Sequence, residues 1–160
     1  MMKHFYTMET PIGLLAVAEA DGAVTHITLW DEKAAKDFAA EGMIREETPT
    51  LAEAIRQLEE YFAETRTSFD LPLAPKGTPF QKKVWQALTE IPYGSAVTYK
   101  DIAVKVGCPK GPRAVGMANN RNPIMIVIPC HRVIGSDGSL VGYEGGVHIK
   151  EALLKLEKTL

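Results

Sequence analysis

Apolar and polar residues alternate with period two over residues 4 to 30, interrupted by the turn-forming Thr10-Pro11-Ile12-Gly13 and Asp21-Gly22. This pattern predicts a three-stranded antiparallel meander, with strands over about 4–9, 13–19 and 23–30. The period then lengthens. Residues 32–41 and 50–64 read as helices; in the second, Leu51, Ile55, Leu58 and Phe62 recur at steps of three and four, an apolar face to pack on the sheet. Pro72, Pro75 and Gly77 punctuate Ser68 to Gly77, which reads as a connection led by a short edge strand. A boundary near residue 75 is expected, separating an N-terminal α/β scaffold domain (1–75) from a C-terminal domain (76–160).

The second half has a helical rhythm. Thr78-Pro79 is a capping residue followed by proline at the first helical position, and Phe80, Val84, Ala87 and Leu88 form a stripe that ends at Pro92-Tyr93-Gly94. Thr98 opens a short helix, with Asp101 in the reciprocal capping position, Ile102, Ala103 and Val106 inside, and Gly107 as the stop. After Cys108-Pro109-Lys110-Gly111, Pro112 starts another helix through Asn120, displaying Arg113, Asn119, Asn120 and Arg121. Two short helices joined by a glycine-containing turn have the outline of a helix-turn-helix, although many helical hairpins share it. Asn122-Pro123 ends the second helix, and Ile124 to Ile128 reads as a short buried strand that delivers Pro129-Cys130. Ser136 to Ser139 is a hairpin turn and Val141 to Gly146 a glycine-rich loop. A last helix over 147–159 buries Ile149, Ala152, Leu153 and Leu156, with Glu157 at the edge of that stripe. The fold class expected is α/β (α+β): an N-terminal antiparallel sheet with helices, then a helical, winged helix-turn-helix-like domain.

Composition narrows the class. At 160 residues and 46% hydrophobic, the chain can bury a core without staples. It has no apolar run of membrane length and no long apolar segment at its start, so a cytoplasmic protein without membrane contact is expected. Two cysteines, Cys108 and Cys130, match no zinc spacing and are too few for a disulfide framework. The net charge of −2 conceals an acidic first half and a basic second half. The basic half suits a polyanion, and it is the half that holds Cys130.

Ile128-Pro129-Cys130-His131-Arg132-Val133 is the place to look for a nucleophile. A thiol reacts as its thiolate and is only a few per cent ionised at pH 7, so a base beside it matters. His131 is such a base, but neighbours on an extended strand point to opposite faces. Taken alone, the commoner meaning of the motif is a buried structural cysteine beside a solvated histidine.

Its company changes that reading. Pro129-Cys130-His131-Arg132, Arg113-Ala114-Val115-Gly116, Asn122-Pro123 and Gly142-Tyr143 with Gly145-Gly146 together resemble the O6-alkylguanine-DNA alkyltransferases, or methylated-DNA-protein-cysteine methyltransferases. The likeness runs colinearly over about residues 78–158, and the first half shares the family's ribonuclease H-like outline of meander then helices. What the resemblance implies is a single-turnover DNA repair enzyme that moves an alkyl group irreversibly from O6 of guanine, or less readily O4 of thymine, to its own cysteine. Cys130 matches the acceptor, His131 the residue that takes the thiol proton through a water, and Glu157 the carboxylate behind the ring. Asn122 matches an asparagine bracing the turn before the acceptor, and Tyr99 a tyrosine that reaches the flipped nucleotide. Arg113 matches the arginine that fills the gap left by a flipped base, while Ala114 and Gly116 allow close approach to the minor groove. Tyr143, Glu144 and Gly145 fall on the substrate pocket. The partner implied is double-stranded DNA containing O6-alkylguanine, bound by a monomer without a cofactor.

Two departures limit the carry-over. Glu144 stands where relatives often carry a small residue such as Ser, so only its backbone amide is carried over, and its side chain is expected to point away from the pocket. Some relatives hold a structural zinc through N-terminal cysteines and histidines, but no cysteine precedes Cys108, so no metal is expected. One rival reading is an alkyltransferase-like module that binds the lesion with little or no transfer; in that class the acceptor cysteine is replaced. The other is a winged-helix regulator whose cysteine is structural.

Overall fold

The computed structural model describes residues 2–140, 143 and 146–160. It divides into two compact units, Met1–Pro75 and Lys76–Leu160.

In the first unit, strands β1 (Lys3–Thr10), β2 (Gly13–Ala20) and β3 (Ala23–Leu29) form the antiparallel meander, with β2 in the centre. Asp21 and Gly22 both take positive φ, 51° and 83°, the backbone a two-residue hairpin needs to follow strand twist. A bulge at Ala18/Glu19 shifts the register between β2 and β3. One feature was not anticipated from the period: a two-residue strand β4 (Ile44–Arg45) pairs parallel with β1. The short edge strand expected in the Ser68–Gly77 connection is reduced to a single bridge, Leu73 to Val24 on the far edge, with Val24 N donating to Pro72 O and Ala74 N to Val24 O.

Helix α1 (Glu32–Ala40) starts at Asp31, whose carboxylate accepts from Ala34 N. Its Phe38 packs with Phe5, Ala16 and Ala18 against Trp30 and Met43. Helix α2 (Pro49–Phe62) is capped by Thr48 with proline in its first turn. Its buried stripe is rotated from the expected one: Leu51, Ala54, Gln57, Leu58 and Tyr61 lie inside, while Ile55 and Phe62 are half-buried. Gln57 causes much of the difference. Its amide donates to Asp70 O and accepts from Asp70 N, so the following loop folds over the face that polarity alone would leave to water.

In the second unit, α3 (Pro79–Leu88) and α4 (Tyr99–Lys105) both open on full capping boxes, Thr78 with Gln81 and Thr98 with Asp101. Helix α5 (Pro112–Asn120) follows, buried through Val115, Ala118 and Asn119. Trp85 Nε1 of α3 donates to Ala118 O at 2.8 Å and fixes α5 from behind. Two short strands, β5 (Val97–Thr98) and β6 (Val133–Ile134), pair in parallel, so the start of α4 and the segment before β6 are neighbours. The expected turn closes with Gly135 N donating to Ser139 O.

Two expectations fail here. Residues 124–128 are not a strand: Ile128 N donates to Ile124 O and Val127 N to Met125 O, closing the segment on itself as a turn, with Ile126 at φ 73°. A short, uniformly apolar run signals burial, and Ile124, Ile126 and Ile128 are buried, but it carries no period that separates strand from buried turn. Helix α6 (Val147–Leu156) also ends earlier than expected. Its buried face is Ile149, Lys150, Leu153 and Leu154, while Ala152 and Leu156 are half-buried, and Glu157 is within the core rather than at its edge.

Candidate active site

Cys130 is not at a strand end. It is the first residue of a single 3₁₀ turn, Cys130–Arg132, and all three of its residues are buried. The backbone before it is held by Asn122, whose amide donates to Ile128 O at 2.7 Å while its oxygen accepts from Ile124 N at 3.0 Å. These two bonds staple the ends of the 124–128 turn. Within it Ile126 keeps a positive φ that a β-branched residue rarely adopts, a local strain of about 1–3 kcal/mol that buried surroundings must hold. From the other side Asn119 of α5 donates to Cys130 O at 3.3 Å.

His131 is buried, with no exposed surface, which overturns the solvated-histidine reading. Its Nε2 meets Glu157 Oε2 at 2.6 Å, and its Nδ1 has no hydrogen-bond partner among the described residues. Glu157 is buried just after α6, and its carboxylate also accepts from Arg132. The tight 3₁₀ turn thus sends His131 and Arg132 to the same carboxylate, which an extended strand would not do.

Burial sets the electrostatics. It pushes the Cys130 thiol up, and hydrogen bonds from Asn122 and Tyr143 together with the charge of Lys150 pull it back. Burial also makes His131 a weaker base, a tendency that Glu157 opposes and that Arg132 and Lys150 reinforce. Tyr99, half-buried at the start of α4, is pushed up by burial and then by the neighbouring Cys130.

Lys150 is the residue that sequence reasoning missed. It has no exposed surface, its Nζ lies 3.4 Å from Tyr99 Oη and 5.6 Å from the centre of that ring, and burial lowers its pKa to about 8. The signal was present, since Lys150, Leu153, Leu154 and Glu157 recur at helical steps of three and four. Lysine defaults to solvent in any pattern reading, which hid it.

Of the predicted residues, the structure brings Cys130, His131, Glu157, Asn122, Tyr99 and Tyr143 to one place. Glu144 and Gly145 lie outside the described residues, and with them the expected orientation of Glu144. Arg113 and Ala114 stand exposed on α5, away from its buried side. Gly116 faces Tyr99, where an added Cβ would meet the ring at 3.8 Å. Among the described residues no group of three or more His, Cys, Asp or Glu could hold a metal ion, and no helix is long and apolar enough to cross a membrane.

Comparison with known proteins is decisive about kinship. The model for the 6-O-methylguanine DNA methyltransferase DNA binding domain matches residues 79–159, and that for the family's ribonuclease-like domain matches residues 1–75. The chain belongs to this methyltransferase family. The methylated-DNA–protein-cysteine methyltransferase of Methanosarcina barkeri is 52% identical over 97% of each chain. The constitutive enzyme of that name from Bacillus subtilis is 50% identical, covering 98% of this chain and 96% of its own. The crystal structure of Mycobacterium tuberculosis OGT in complex with DNA superposes with a TM-score of 0.88 at 42% identity, over 98% of this chain and 93% of that one. Family membership thus rests on both halves of the chain, including the N-terminal half, where the sequence offered only an outline.

Proposed function

We propose that this protein repairs DNA by direct alkyl transfer, taking the group from O6 of a guanine, and less readily from O4 of a thymine, onto Cys130 Sγ. The observation that carries this reading is a buried thiol beside a buried histidine whose one ring nitrogen is held by a carboxylate and whose other has no partner among the described residues. An O6-alkyl group inside a duplex cannot reach such a thiol, so the base is flipped out, at a cost of a few kcal/mol. Arg113, exposed at the start of α5, fills the gap, while Ala114 and Gly116 let the helix backbone approach the minor groove.

His131 takes the thiol proton through a water. Sulfur attacks the alkyl carbon, the S–C bond forms as the C–O6 bond breaks, and the electron pair stays on the guanine. Tyr99 supplies the proton that makes guanine a neutral leaving group, and Lys150 beside its hydroxyl stabilises the phenolate left behind. The same cation favours the thiolate before attack. Glu157 holds the ring of His131 and stabilises its charged form. The thioether cannot be reversed by these groups, so each monomer acts once.

The test is a duplex carrying O6-methylguanine, incubated with the protein and followed by peptide mass. One methyl group on the Cys130 peptide per lesion lost is expected, with no loss in Cys130→Ala. Lesion loss without a modified Cys130, or binding without lesion loss, overturns the reading.

A further inference from the structure

Arg132 has no part in the transfer chemistry above, yet its guanidinium is buried and held by three hydrogen bonds. Nε donates to Glu157 Oε1 at 2.8 Å, Nη2 to Glu157 Oε2 at 3.1 Å and Nη1 to Ile91 O at 2.7 Å, with the group lying over the Tyr93 ring at 5.8 Å. Glu157 Oε2 is also the oxygen that meets His131 Nε2. One carboxylate therefore serves two neighbours, one permanently charged and one titratable.

We propose that Arg132 is a positioning residue which, through Glu157, fixes the tautomer and the proton affinity of His131; the inference rests on the alkyl-transfer reading for its consequence. A carboxylate gripped through both its oxygens by the Nε–Nη2 edge of a guanidinium stays ionised, and an ionised carboxylate can only accept. The ring nitrogen facing it must then carry the hydrogen. That leaves the lone pair on Nδ1, the nitrogen without a partner among the described residues, as the one available to a proton leaving the thiol. The opposite tautomer would present an N–H to the thiol side and could not act as a base.

Arg132 also divides the charge of Glu157. The charged or titratable groups that act on His131 are Glu157, Arg132 and Lys150, with the Cys130 thiol next in sequence. Only Glu157 favours the imidazolium among the first three. With its charge undivided, Glu157 would hold His131 protonated before the reaction, as a buried ion pair with no lone pair to offer. Burial disfavours the charged ring, and Arg132 adds to that effect, so the resting ring stays neutral.

Two readouts test this. The first is the ¹⁵N spectrum of His131 in the intact protein without DNA, where the wild type shows protonated Nε2 and bare Nδ1 at pH 7. Arg132→Met and Arg132→Gln are expected to show imidazolium instead. The second is the single-turnover transfer rate against pH. Both neutral variants should move its rising limb to higher pH and lose about tenfold in rate at pH 7, with lesion binding changed less than twofold. Arg132→Lys, which keeps the charge, should restore the wild-type midpoint. Wild-type ring shifts and an unmoved midpoint in both neutral variants overturn the inference, and Gln stands in should Met fail to fold. The spectrum needs no alkyl transfer, so it still decides the tautomer if the proposed reaction itself proves wrong.

Discussion

Lys150 works against the stability of its own domain. A lysine shut off from water and lowered from 10.5 to about 8 binds its proton less tightly in the folded chain than in the unfolded one. Between those values the unfolded state holds more protons, so this group makes stability rise with pH from about 8 to 10.5; below about 8 its full penalty applies. Lys150→Met should therefore stabilise the protein at pH 7 by about 1–3 kcal/mol in urea unfolding. The same change should slow alkyl transfer at least tenfold, because the thiolate and Tyr99 lose their cation. A variant both less stable and equally fast would contradict both halves of the argument. His131 has the same sign at lower pH. Its folded affinity lies below the ordinary 6.5, so stability falls as the pH drops through 6.5, and His131→Gln should flatten that acid slope. At this scale the sequence revealed groups whose chemistry is announced by type, such as Cys130 and His131. It concealed Lys150 and the task of Arg132, whose meaning depends on burial that only tertiary packing creates.

The turn between α5 and Cys130 is where element-level reading went astray, and also where the site is most exposed to perturbation. Five apolar residues after Asn122-Pro123 read equally as strand or buried turn, because a run without polar positions has no phase. Nothing in the residues announces that Ile126 takes φ 73°. Helix starts were legible for the opposite reason: Asp31, Thr48, Thr78 and Thr98 cap locally, through bonds within three residues. The turn instead depends on Asn122, which satisfies Ile128 O and Ile124 N together. Asn122→Ala leaves both groups without that partner and should cost about 2–4 kcal/mol of stability. Because the amide also donates toward the Cys130 sulfur, transfer should slow by more than the loss of folded protein explains. Stability from urea unfolding and single-turnover rate at a temperature where the variant is folded separate the two. A rate that tracks the folded fraction alone would confine Asn122 to a structural role.

Charge is distributed between the two units in a way no single element reveals. The whole chain is nearly neutral at −2, while its acidic residues concentrate before Pro75 and its basic ones after Lys76. The sequence made that asymmetry plain, since counting needs no structure; which cations are free for DNA was hidden until burial was known. Lys150 and Arg132 are buried, whereas Arg113 and Arg121 are exposed at the two ends of α5. Cations that meet phosphates release counterions, so affinity falls with salt by a slope of about 0.9 per phosphate contact. Arg121→Gln should lower that slope by about 1 on an unmodified duplex, where no alkyl transfer intervenes. Lys36→Gln, an exposed cation of α1 in the acidic unit, should leave the slope unchanged. Arg113→Ala should weaken binding to lesion-bearing DNA more than to unmodified DNA, since its proposed task begins when the base leaves the stack. Equal salt slopes for the wild type, Arg121→Gln and Lys36→Gln would remove the end of α5 from the DNA contact, and the charge asymmetry would then serve solubility alone.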